Sequence, residues 1–242
     1  MSAINDNTMA NIVITGTSSG IGFETALHLA VAGHQIVALA RSADGLARLA
    51  EAATLRNAGA CIHPLPFDMV HGNYTDELLP FVQQQLGRVD ILINNAGTLI
   101  NKPFMETTAT DFSRMMATNL IGPATMIQQL LPLIPAGGHI VNIGSMGGFQ
   151  GSSKFPGLSA YSASKGALHT LTECLAAELQ DQAIKINCLA LGSAQTEMLA
   201  KAFPHYKSPV SASAMGEYIA QFALTGHRFF NGKVLPVAVT TP

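Results

Sequence analysis

Short apolar runs rich in β-branched residues alternate along this chain with longer stretches whose apolar residues recur every three or four positions. Asn11-Ile12-Val13-Ile14-Thr15 reads as a first strand, and residues 21–32 read as a helix with Ile21, Ala26, Leu29 and Ala30 as its apolar positions. Residues 35–40 form a second strand, Leu46, Leu49, Ala50, Ala53 and Ala58 mark a second helix, a third strand precedes Asp68, and residues 78–86 are helical. Strands over 89–93, 139–143, 184–190 and 234–237 make seven in all, with long helices expected over 111–131 and 160–179. Strands apolar on both faces and separated by helices are the pattern of a parallel sheet covered on both sides. The fold class is therefore α/β, a Rossmann-type doubly wound seven-stranded parallel sheet in which ligands bind beyond the carboxyl ends of the strands.

Composition narrows this reading. With 242 residues, 48% of them apolar, the chain can bury a large core. No Pro/Ser/Gly-rich or charged linker divides it, so residues 1–242 are expected to form one domain, with 1–9 as a polar tail. Thirteen basic against fifteen acidic residues, a net charge of −2, give no electrostatic case for nucleic acid or an acidic membrane. Cys61, Cys174 and Cys188 are scattered in apolar runs, which predicts buried reduced thiols and a cytoplasmic protein. The eight histidines show no i,i+4 pair and no nearby cysteine pair, so no metal site is expected. The start lacks an export signal, and no run approaches the ~20 apolar residues of a membrane span.

Two segments carry chemistry. Thr15-Gly16-Thr17-Ser18-Ser19-Gly20-Ile21-Gly22 closes the first strand and opens the first helix. Its glycines permit a tight turn and close backbone approach, and the free N–H groups at the helix start suit a pyrophosphate. Further on, Tyr161 and Lys165 stand four residues apart in an expected helix, which stacks a phenol and an ammonium on one side. An unperturbed phenol titrates near pH ~10. At an effective dielectric of about 20 and ~5 Å, an ammonium stabilises the phenolate by roughly 3 kcal/mol, enough to bring it toward neutrality.

From about Asn11 to Val237 the chain resembles the short-chain dehydrogenase/reductase family, through the TGxxxGxG spacing of Gly16, Gly20 and Gly22, Asn94-Asn95-Ala96-Gly97, and YxASK at Tyr161 and Lys165. The resemblance implies a catalytic set of Asn119, Ser145, Tyr161 and Lys165. Tyr161 would exchange a proton with a carbonyl or alcohol oxygen. Lys165 would lower the phenol's pKa and hold the nicotinamide ribose, Ser145 would bond the substrate oxygen, and Asn119 would hold a water linking Lys165 to solvent. Cofactor contacts would come from Gly16, Thr17, Ser18, Ser19, Gly20, Ile21, Gly22, Asp68, Asn95, Ala96, Gly97 and Thr196, together with Tyr161 and Lys165.

The second strand ends Ala40-Arg41-Ser42, with Ala40 where NAD-using relatives carry an acid. Arg41 and Ser42 can receive a 2′-phosphate, so NADP(H) is expected in preference to NAD(H). Three departures from the family pattern stand out: Leu191 replaces a usual proline, the stretch between Ser145 and Tyr161 is longer through Gln150 to Lys154, and 237–242 lacks the frequent DGG ending. The implied function is an NADP(H)-dependent oxidoreductase interconverting a small carbonyl compound and its alcohol. The alternatives are a non-catalytic dinucleotide-binding scaffold, for which an intact tetrad would be unneeded, and a nucleotide-sugar epimerase or dehydratase, which usually has other glycine spacing and a larger substrate domain. A short segment over 199–213 with Phe203, His205 and Tyr206 predicts an open, partly apolar substrate site. Small residues Ala163, Gly166 and Ala167 suit either close packing in the core or the helix pairing between subunits that the resemblance implies, in a homodimer or homotetramer.

Overall fold

The computed structural model describes residues 9–239; the amino-terminal tail through residue 8 and the last three residues of the atypical carboxyl terminus lie outside them. Seven strands, β1 (Asn11–Thr15), β2 (Gln35–Ala40), β3 (Cys61–Pro66), β4 (Ile91–Asn94), β5 (His139–Ser145), β6 (Lys185–Leu191) and β7 (Val234–Val237), form one parallel sheet in the order β3-β2-β1-β4-β5-β6-β7. Side chains alternate across it. Ile12 and Ile14 of β1 join one buried layer with Ile36, Ile91 and Ile93, while Val13 joins the opposite layer with Val37, Leu92 and Ile140. The first layer is closed by α1 (Gly20–Val31), α2 (Ala43–Arg56) and α8 (Ala212–Thr225). Residues of α3 (Leu79–Leu86) and α5 (Gly122–Leu130), with the end of α6 (Ser159–Glu178), close the second.

The strand order reverses between β1 and β4, so the connections leaving their upper ends diverge and open a crevice there. Both strands at the rims of the sheet carry prolines, Pro64 and Pro66 in β3 and Pro236 in β7.

The structure differs from the sequence pattern in four places. The long helix expected over 111–131 is α4 (Ala109–Met116) and α5 joined by a π turn at Ala117–Ile121, since Asn119 draws its bonds from Thr98 and Ser164. The second helix stops at Arg56, where the Asn57 side chain turns back to the Val31 carbonyl, leaving Ala58 outside. Beyond residue 190, where the pattern gives no helix, two stand: α7 (Glu197–Ala202), capped by Thr196, and α8, capped by Ser211. Of the three cysteines, Cys188 is buried in β6, Cys61 is half-buried, and Cys174 is exposed on the outer face of α6, so burial holds for one thiol only. Among the described residues no helix is long and apolar enough to cross a membrane, and no cluster of His, Cys, Asp or Glu could hold a metal.

Candidate active site

A cleft of ≈1340 Å³ runs along the carboxyl ends of the strands, large enough for a dinucleotide with a second molecule beside it. Its floor begins at the turn between β1 and α1. Gly16 (φ +75°) must be glycine, because a Cβ there would lie 2.7 Å from the Ala96 Cα. Asn95 clamps this turn, its Nδ2 donating to the Thr15 and Gly16 carbonyls at 2.9 and 3.1 Å. The Thr15 hydroxyl in turn accepts from the Asn95 and Ala96 amides.

Ser18, Ser19, Gly20, Ile21 and Gly22 line the cleft. Ser19 precedes α1 in extended conformation with no side-chain bond to the helix start, and no acid occupies the first turn. The open N–H groups and the positive end of the α1 dipole therefore fit a dinucleotide's pyrophosphate. Asp68 lines the cleft with one carboxylate oxygen accepting from the Val70 amide at 2.8 Å and the other open. Arg41 and Ser42 line it at the tip of β2, where the Ser42 hydroxyl accepts from the Gly45 amide and keeps its own proton to donate. Thr196 faces Gly20 across the cleft, a Cβ on that glycine lying 3.5 Å from the Thr196 methyl.

At the other end stand Ser145, Tyr161 and Lys165. A buried polar ladder fixes α6 against the sheet: Asn94 donates to Asn142, Asn142 to Thr172, and Thr172 to the Leu168 carbonyl, at 2.9 Å each. Farther up the helix, Asn119 donates to Ser164, whose hydroxyl donates to the Tyr161 carbonyl at 2.7 Å. The Ser145 hydroxyl stands beside the Tyr161 ring: a Cβ on Gly147 would lie 3.5 Å from the Ser145 Oγ and 3.8 Å from the Tyr161 Cε1. That hydroxyl accepts from the Gly147 amide at 3.2 Å.

The electrostatics depart from what the Tyr–Lys spacing suggests. Burial raises the Tyr161 pKa above that of a free phenol, opposed by the neighbouring Ser145 hydroxyl. Lys165 is 4% exposed, and its ammonium donates to the Ile143 carbonyl at 2.7 Å. Burial lowers the Lys165 pKa to about 8, partly offset by the neighbouring Cys188 thiol, itself pushed up to about 12 by burial. In the chain by itself Lys165 thus does not depress the phenol, because the ammonium points to a carbonyl under the strand end.

Two expected site residues stand off the cleft. Thr17 is fully buried with its hydroxyl donating to the Leu39 carbonyl at 3.3 Å, so its side chain faces β2. The Asn119 carboxamide is also buried and fully engaged, accepting from the Thr98 amide and donating to the Thr98 carbonyl and the Ser164 hydroxyl. It lies next to the lysine even so: a Cβ on Gly97 would meet the Asn119 Oδ1 at 3.3 Å and the Lys165 Nζ at 3.4 Å. Ser164, which joins Asn119 to the helix of Tyr161, stands within the same short motif, but nothing local in the sequence marks its bond to a residue 45 positions earlier.

A family model described as short chain dehydrogenase matches residues 10–207. The chain belongs to the short-chain dehydrogenase/reductase family. It is 34% identical over 192 residues to a fatty acyl-CoA reductase of Acinetobacter baylyi, covering 78% of this chain and 63% of that protein. An uncharacterised oxidoreductase of Staphylococcus aureus is 29% identical over 221 residues, 90% of this chain and 92% of its own. Among solved structures, the angucycline C-6 ketoreductase LanV with bound NADP superposes with a TM-score of 0.85 at 26% identity, covering 96% of this chain and 95% of that one. The chain is accordingly an NAD(P)-dependent oxidoreductase of the carbonyl/alcohol type.

Proposed function

We propose that this enzyme uses NADP(H) to interconvert a carbonyl compound and its alcohol, with Tyr161 as the group that gives and takes the proton. The observation that carries the reading is the placing of Ser145 and Tyr161 side by side at the far end of a cleft that starts at the open amino terminus of α1. A carbonyl oxygen placed against these two hydroxyls accepts from both, which stabilises the charge developing on it. The nicotinamide, when bound, supplies or takes the hydride. A phenol whose pKa is raised by burial is protonated at neutral pH, so the resting site holds the proton that carbonyl reduction consumes.

Lys165, within reach of the same cavity, holds the nicotinamide ribose. Asn119 acts as a positioning residue through Thr98 and Ser164. With its carboxamide engaged, any relay water falls to its main-chain carbonyl in the π turn. Gly16, Ser18 to Gly22, Asp68, Asn95 to Gly97 and Thr196 hold the dinucleotide, and Thr17 contributes by anchoring the turn. NADP(H) is preferred because Arg41 and Ser42 offer donors where no acid stands, and a structural relative carries NADP. The same reading takes the chain as one catalytic unit, working in the cytoplasm as a homodimer or homotetramer on a small molecule.

The test follows NADPH absorbance against a panel of ketones and aldehydes. Tyr161→Phe is expected to lower kcat by at least a thousandfold while leaving the NADPH dissociation constant within about twofold, since it removes the proton and little binding surface. A phenylalanine variant that keeps its turnover overturns the assignment.

A further inference from the structure

Taking Ser145 and Tyr161 as the reacting end, we propose that this end of the cleft selects neutral, bulky, apolar carbonyl compounds and rejects carbonyls tethered to a carboxylate, phosphate or other anion. Three segments wall it. The loop after β4 contributes Leu99, the loop between β5 and α6 contributes Phe155 and Leu158, and α7 with the chain after it contributes Met198, Phe203 and Tyr206. Phe155, Met198 and Tyr206 keep between 41% and 46% of their surface exposed, an apolar area that a ring or branched chain would cover. The Tyr206 hydroxyl is already bonded to the Ser193 hydroxyl at 2.9 Å, so what it offers a ligand is its ring.

Charge points the same way. Among the described residues that line the cleft, the arginines and lysines are Arg41, Arg114 and Lys165, and none comes from these three segments. Arg41 stands at the tip of β2, three strands from β5 and so roughly 14 Å away across the sheet. Arg114 stands on α4, and Lys165 gives its ammonium to the Ile143 carbonyl. Lys201 and Lys207, on and after α7, are exposed and do not line the cleft, and the lysines of the other two segments bond to the protein itself. Lys154 donates to the Phe149 and Ser152 carbonyls and the Ser152 hydroxyl, and Lys102 pairs with Asp111 at 3.1 Å. The single ionised side chain these segments present to the cleft is Glu197, in the first turn of α7. On these three walls an anionic substrate would meet a like charge and no cation of their own to answer it.

The loops are also tied to one another, so the walls hold their shape. Asn101 donates to the Ala202 carbonyl at 2.8 Å, and the Lys102 amide donates to the Gly157 carbonyl at 2.9 Å.

The test compares a matched pair of ketones, 4-phenyl-2-butanone and its para-carboxylate, titrated calorimetrically into the full chain saturated with NADP⁺. The neutral ketone is expected to bind at least tenfold more tightly. Glu197→Gln should shrink that ratio at least threefold, and Phe155→Ala should weaken the neutral ketone at least fivefold without changing the NADP⁺ dissociation constant. Equal or tighter binding of the carboxylate, no binding of either ketone, or indifference to both substitutions overturns the proposal. Turnover separates the two readings: a neutral ketone that binds as expected but is never reduced supports this selectivity and sinks the reductase assignment. Efficient reduction of the carboxylate alone does the reverse.

Discussion

On the proposed reading, the cofactor choice turns on Ala40 and Arg41. The side chain at the end of β2 would meet the adenosine ribose, where a carboxylate repels a phosphate that a guanidinium binds. Charge-assisted hydrogen bonds contribute about 1.5–3 kcal/mol, or roughly 10- to 100-fold in affinity. Arg41→Ala is therefore expected to raise the NADPH dissociation constant at least tenfold and to leave that of NADH within twofold. Ala40→Asp should invert the preference. A wild-type chain that binds NADH more tightly than NADPH in the same titration removes the assignment. At Tyr161 and Lys165 the four-residue spacing fixes which side of α6 both occupy, and both do line the cleft. Spacing says nothing of where a flexible ammonium ends. Burial and the Ile143 carbonyl decide that, and they leave the phenol less acidic than pairwise Coulomb attraction suggests.

At the scale of elements, α2 packs its first turn directly onto the glycine turn. A Cβ on Gly45 would collide with the Ser18 Cβ and come within 2.8 Å of the Ser18 carbonyl oxygen. Gly45→Ala gains up to ~1 kcal/mol of helix propensity but overpacks a rigid backbone, which costs typically 1–3 kcal/mol. The collision outweighs the gain. We expect a loss of about 1–2 kcal/mol in denaturant unfolding and a several-fold weaker grip on NADPH; an unchanged cofactor dissociation constant would show that the turn accommodates the methyl.

Strands and long helices were legible because their apolar periods are strong, and the seven strands fall where alternation and β-branching put them. The π turn was not, since Asn119 breaks the helix register through bonds to Thr98 and Ser164, distant partners that no local pattern reveals. The helix α8 does carry a local signal, since Met215, Ile219, Phe222 and Ala223 recur with helical period behind the Ser211 cap. The walls of the substrate end, Leu99, Phe155 and Met198 among them, come from three separate loops that only the fold brings together.

For the whole molecule, buried imidazoles link stability to pH. The His139 Nδ1 bonds the Ala223 carbonyl at 2.8 Å, which makes it the protonated nitrogen, and its Nε2 accepts from the Asn187 amide at 3.2 Å. Burial lowers its pKa from 6.5 to about 4, and burial does the same to His169. The unfolded chain takes up these protons before the folded one does, so stability is intact above pH 6.5 and declines as pH falls through the window down to about 4. His139 by itself accounts for roughly 3 kcal/mol of that decline. Melting temperature followed by circular dichroism should drop steadily from pH 7 to 4.5, and His139→Asn should flatten the slope while lowering the plateau. A melting temperature constant across that range would contradict this linkage.

Pro64 and Pro66 at one margin of the sheet and Pro236 at the other lack the backbone donor that an incoming strand would need. Growth by edge-to-edge annealing, the usual route from an open sheet to fibrous aggregates, is thereby discouraged at both borders. Copies of this chain that associate are left to meet through helical faces and loops, where contact can be made and undone without disturbing the sheet that carries the cleft.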